Sequence, residues 1–202
     1  MVSVVPSDPE NKTTLMREVV EKAERSLGED FFQEHMGRFW GTVSTRPYMR
    51  AMQHLGELLV ETGKLAEAAA IFARMLELNP ADNQGMRYPL LGIHLASQQP
   101  EKAGQLMSRF PGEEKFMACF AWARVLERWL TGDLKEAAAA LSRARKVNPF
   151  AEPYVSGVRA VPRETPDYFE PGDESEARVC ARELSMAWVG NPGFREWLRA
   201  QR

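Results

Sequence analysis

Few residues in this 202-residue chain have the chemistry for catalysis, and they are scattered. His35, His54 and His94 have no Cys, Asp or Glu partner at a metal-ligand spacing, so no metal site is expected. Cys119 and Cys180 are far apart and both fall in helical patterns. That predicts buried free thiols in a reducing compartment. The chain contains no nucleophile elbow, no phosphate-cradling glycine loop and no paired-carboxylate motif. Pro171-Gly172-Asp173-Glu174 is polar, but helix capping accounts for it. The expectation is a protein that is not an enzyme, with no catalytic residue and no cofactor. The chemistry left is recognition by arginines and tryptophans carried on helices.

Composition sets the frame for those helices. The residues are 44% hydrophobic and 27% charged, ordinary for a globular protein, and the length suits a full core. A net charge of −2 gives no electrostatic case for nucleic acid or an anionic membrane. Alanine and other helix formers dominate, which predicts an all-α fold. Residues 1–6 resemble no signal peptide, and charged residues interrupt every apolar run, so a cytoplasmic protein is expected.

The elements follow from punctuation and periodicity. Asp8-Pro9 caps a first helix whose apolar face is Leu15, Met16, Val19, Val20, Ala23 and Leu27, and Gly28 ends it. Phe31, Phe32, Met36, Phe39 and Trp40 crowd a short helical segment broken by Gly37 and Gly41. Helices then run from Thr45 to about Thr62 and from about Leu65 to Leu78, separated by a left-handed Gly63. Asp82 or Asn83 can cap the next helix, in which Pro89 predicts a kink or a late start. Pro100 opens a helix facing the core with Ala103, Leu106 and Met107. Gly132-Asp133 separates two further helices, with Asp133 and Glu136 spaced as a capping box. Prolines at 153, 162, 166 and 171 make residues 150–172 a crossover, anchored by Tyr154, Tyr168 and Phe169. A capping box at Asp173 and Glu176 opens a helix through Trp188, and Asn191-Pro192 precedes a last one.

One stretch has a recognisable pattern. Met52-x-x-Leu55-Gly56-x-x-Leu59, then Ala68-x-x-x-Phe72, then Pro80, resembles the tetratricopeptide (TPR) repeat. Small Gly56 and Ala68 sit where two antiparallel helices cross, and Leu55, Leu59 and Phe72 fill the seam. Pro80 and Pro149 are 149 − 80 = 69 residues apart, about two periods of such a repeat, so three repeats with a degenerate middle one are expected. The resemblance implies an all-α, TPR-like helical-hairpin solenoid with helical caps at both ends. Its parts would be an N-terminal cover (1–45), the repeats (46–149) and a crossover with C-terminal cap (150–202), all one globular unit. It further implies a concave face lined by each repeat's first helix. Arg50 and Gln53 would come from the first repeat, Arg87 and His94 from the second, and Trp122 and Trp129 from the third. The two tryptophans either line that groove or lie buried beneath the C-terminal cap. The clamp that holds acidic chaperone tails needs Lys, Asn and Arg. Gln53, Glu57, Tyr88, Cys119 and Ala123 stand in those places, so no such binding is expected.

Further motifs resemble bacterial TPR proteins related to the suppressor of tumorigenicity seven family. They are Phe39-Trp40-Gly41, Thr45-Arg46-Pro47-Tyr48-Met49-Arg50, Asn79-Pro80-x-Asp82-Asn83-Gln84-Gly85-x-Arg87-Tyr88 and Asn148-Pro149-Phe150 through Pro153-Tyr154. Pro171-Gly172-Asp173-x-x-Glu176-Ala177 and Ala187-Trp188 complete the set. The resemblance covers roughly residues 30–199 and implies a TPR-like domain with a C-terminal extension. No catalytic residue comes with it. The expected function is a protein- or peptide-binding adaptor working through the concave face. A cargo chaperone for a secreted or assembly protein is the alternative, and an enzyme or an enzyme's regulatory subunit is the alternative of another class. The expected partner is a protein or peptide, neither nucleic acid nor membrane, and an exposed end helix could pair with its twin in a homodimer.

Overall fold

The computed structural model of the protein describes residues 8–201. Among them are twelve α-helices, three short 3-10 turns and no strand. No helix among the described residues is long and apolar enough to cross a membrane. The chain divides between Leu90 and Leu91 into two compact units.

The first unit rests on one close helix crossing. Helix α1 is Pro9–Leu27, α2 is Glu29–His35, α3 is Arg46–Glu61 and α4 is Leu65–Leu78. Helices α3 and α4 form an antiparallel pair, and Gly56 faces Phe72 across it. A Cβ at Gly56 would lie 2.3 Å from Phe72 Cε1, so hydrogen is the largest side chain this crossing accepts. Met52, Leu55, Leu59, Ala68, Phe72 and Met75 are all essentially fully buried around it.

Helix α1 packs along α3, and the Tyr48 hydroxyl donates to Glu24 at 2.7 Å. Burial, reinforced by that hydrogen bond, pushes the Tyr48 phenol well above its ordinary pKa. Only Val20 of the expected apolar face of α1 is buried, whereas Leu15 and Val19 are 47% and 44% exposed. After α2, Phe39 drops into the unit. Its backbone N–H donates to the Leu78 carbonyl at 3.1 Å and its ring stacks on Phe32.

The loop after α4 is organised by a buried aspartate. Asp82 takes a φ of +50° and accepts from the backbone N–H groups of Met86, at 2.7 Å, and Arg87, at 3.0 Å. Helix α5, Arg87–Ala96, therefore starts late, and Pro89 sits in its first turn, where its missing N–H breaks no helical bond.

The second unit contains α6 (Pro100–Ser108), α7 (Ala118–Leu130), α8 (Leu134–Val147), α9 (Glu152–Val155), α10 (Glu174–Glu183), α11 (Ser185–Val189) and α12 (Pro192–Ala200). Helices α7 and α8 pair antiparallel, and α6 and α10 both pack on α7. The two cysteines meet between α7 and α10. Their mutual hydrogen bond and burial push the Cys119 thiol well up, so it stays protonated. The helix expected from Asp173 through Trp188 is broken at Leu184, the cap between α10 and α11. At that break Gly92 of α5 lies against Glu183, where a Cβ would stand 3.3 Å from the carbonyl oxygen. Of the expected crossover anchors only Tyr154 is buried. Tyr168 is 89% exposed.

Three connections between consecutive helices share one geometry. Helix α3 ends at Glu61 and α7 at Leu130, each followed by a Thr cap and a left-handed glycine, Gly63 or Gly132. Both following helices, α4 and α8, have 14 residues and close on Asn-Pro. Between α5 and α6 the left-handed position is held by Gln98, with φ +53°. Substituting Gly56→Ala should lower stability by about 1–3 kcal/mol, seen as a fall in thermal and urea midpoints. Adding Phe72→Leu should recover part of the loss. An unchanged midpoint would mean the crossing is looser than described.

Candidate functional site

On α3 the expected recognition residues form an open polar strip. Arg50 is exposed. Gln53 donates to Glu57 at 3.0 Å and accepts from Gln84 at 2.8 Å, while Gln84 also reaches the Met49 carbonyl at 3.3 Å. The Gln84 amide thus fixes Gln53 from the following loop, and Arg50 keeps a guanidinium available to a carboxylate. Arg87 is differently placed. It donates to the Asp82 carboxylate at 2.8 Å and lies over the Tyr88 ring at 4.4 Å, with its side chain only 17% exposed. Its guanidinium serves the loop that starts α5, which corrects the expectation of an open partner-binding cation.

In the second unit His94 is half-buried, with Nδ1 at 3.3 Å from Gln99 Oε1. Burial holds its pKa below the ordinary histidine value, Gln99 opposes this and Lys102 adds to it. Trp129 is half-buried, edge-on to Phe194 with centroids 5.8 Å apart, and Phe194 also stacks on Trp188 and Trp197. Trp122 has no exposed surface, and its indole N–H donates to the Asn148 carbonyl at 3.1 Å. That corrects the alternative that placed Trp122 in a groove: it is core, held by the residue that ends α8. Of the six expected residues Arg50 is exposed, Gln53, His94 and Trp129 are half-buried, and Arg87 and Trp122 are structural.

A buried polar junction, missed as such in the sequence, explains why Trp122 cannot turn outward. Glu176 is 2% exposed, yet its carboxylate faces no cation among the described residues. It accepts instead from the backbone N–H of Ala118 at 2.7 Å, the N–H of Gly172 at 2.8 Å and the Asn148 amide at 2.9 Å. Ala118 opens α7, so the carboxylate also meets the positive end of that helix. Asn148, itself fully buried, donates a second time to the Asp173 carbonyl at 2.8 Å and accepts from the Phe150 N–H at 3.0 Å. Only half of the expected capping box at Asp173 forms. Asp173 does cap α10, accepting from the Ser175 and Glu176 N–H groups, but the Glu176 side chain turns away to close the junction. The spacing signal was real and pointed to the wrong acceptor.

No family model matches the chain, and no curated protein and no solved structure matches it either.

Replacing Glu176 by Gln puts an NH2 group where three donors converge. A loss of about 1–3 kcal/mol is expected, read as a lower urea midpoint, whereas Glu174→Gln at the exposed neighbour should cost no more than about 1 kcal/mol. Equal effects would remove the junction's special role. For His94 the sign follows from its depressed pKa. Between that value and about 6.5 the unfolded chain binds more protons than the folded one, so stability falls as pH drops through this range. His94→Gln should flatten the decline between pH 7 and 5, and the His94 ring resonances should titrate below 6.5 in NMR.

Proposed function

We propose that the protein is a protein- or peptide-binding adaptor built from TPR-like helical hairpins. The observation that carries this reading is the connector. Gly63, Gln98 and Gly132 hold left-handed φ at spacings close to the repeat length of the TPR template, each between two helices. Hairpins repeated at that interval cannot bury their own faces alone, and such arrays generally work by presenting them to other chains. Family likeness supports the same reading: Thr45, Asp82 and Asn148, all in the motifs resembling the suppressor of tumorigenicity seven family, are buried and hydrogen-bonded.

Contact with the partner falls to the open strip of α3, where Arg50 and Gln53 offer a cation and a positioned amide to a backbone or a carboxylate. Affinity purification from native cells should recover a partner with the wild-type chain. Arg50→Glu combined with Gln53→Ala should lower its recovery at least about tenfold, near 1.4 kcal/mol. Ala70→Glu, on the exposed side of α4, should leave recovery unchanged. Equal recovery by all three proteins, or none above a tag-only control, would overturn this surface.

A further inference from the structure

In the second unit a cavity of about 270 Å3 opens between the turn at Glu113–Lys115, α7 and α8. Its floor is made of small apolar groups: Ala121 and Ala140, both buried, with Val147 beside them. The same 69-residue offset that relates α4 to α8 places Met52, Ile71 and Leu78 at these positions in the first hairpin. Long side chains thus stand in the earlier hairpin where this one has methyl groups, and the hollow is a seam left unfilled.

Its mouth is cationic. Lys115, Arg124, Arg143 and Lys146 line it against a single carboxylate, Glu114. Two of the cations are answered internally. Arg124 donates to Glu114 at 3.0 Å and to Glu127 at 3.1 Å, and Arg143 donates to Glu136. Lys115 and Lys146 are exposed, and neither ammonium has an ion pair among the described residues. Two unanswered positive charges therefore sit at the entrance to an apolar hollow. A neutral apolar guest would leave those charges unmet, and a bare inorganic anion would leave the floor empty.

We propose that this cavity binds a small amphiphilic carboxylate, a single aromatic or branched aliphatic group bearing one acid, with the apolar body on Ala121, Ala140 and Val147 and the carboxylate toward Lys115 and Lys146. Size agrees with charge. A cavity of about 150 Å3 accepts benzene, so this one accommodates a ring together with a short acid arm. The volume matches the whole of such a molecule, which favours a free acid over the tip of a longer chain. The site shares no residue with the α3 strip, so it stands or falls apart from the adaptor reading.

The probe is 3-phenylpropionate, titrated into the full 15N-labelled chain at low salt and followed by amide shifts. Saturable shifts centred on Ala121, Ala140 and Val147 are expected, with 3-phenylpropionamide at least about tenfold weaker. Lys115→Gln with Lys146→Gln should weaken the acid by a similar factor while the chain stays folded by its amide spectrum, and Ala121→Met, which fills the hollow, should abolish binding. If Ala121→Met fails to fold, the lysine pair still decides. Equal binding of acid and amide, unchanged binding by the lysine variant, or shifts elsewhere would overturn the proposal. So would binding of a peptide ending in phenylalanine with none of the free acid.

Discussion

Three connections of three residues each, 62–64, 97–99 and 131–133, join consecutive helices, and each turns on one residue with positive φ. Gly63 and Gly132 adopt it without a Cβ penalty. Gln98 adopts it as a non-glycine residue, a conformation that costs roughly 1–2 kcal/mol in an L-residue. The cost is tolerated because the turn is tied on both sides: the Gln98 N–H donates to the Leu95 carbonyl and the Gln99 N–H to the His94 carbonyl. Once the connector is fixed, the phase of each helix pair is fixed as well, and with it which small residues meet large ones. Gly56 against Phe72 is the tightest of these meetings.

The two clear hairpins use the shared pattern to different ends. The first fills its seam with methionine, leucine and phenylalanine and takes α1 along α3. The third replaces several of those residues with alanine and takes α10 on α7. Its second helix ends on Asn148, which serves Trp122, Asp173, Phe150 and Glu176 at once. A buried carboxylate is stable there because every donor around it is a fixed N–H group, so desolvation is repaid by hydrogen bonds without a counter-ion.

Much of the architecture was legible because its signals are local. Asp8-Pro9 and Pro100 open helices where proline's missing N–H costs nothing, and Asn79-Pro80 and Asn148-Pro149 close them. The bounds of α4 follow from such punctuation alone. What escaped the sequence depends on residues far along the chain. Trp122 has the periodicity of a groove residue, and only Asn148, 26 positions on, makes it core. Glu176 has the spacing of a capping glutamate, yet its partners lie on α7 and at the end of α8. The break at Leu184 carries neither glycine nor proline and lies where Gly92 of α5 comes close to the Glu183 carbonyl. Leu15 and Val19 fit a buried stripe by period alone, but both are exposed among the described residues. Helical phase placed Arg50 and Gln53 on one side of α3, whereas the capture of Arg87 by Asp82 needed a loop conformation that no periodicity encodes.

The junction at Asn148 and Glu176 also bears on how such a chain evolves. Tandem duplication lengthens a helical array by inserting a copy after an existing second helix. Here an inserted copy would separate Asn148 from the Asp173 carbonyl and strand the Glu176 carboxylate in the interior without its donors. Lengthening the chain at that junction would cost the buried carboxylate its donors, whereas the exposed side chain of Tyr168 is not part of that network.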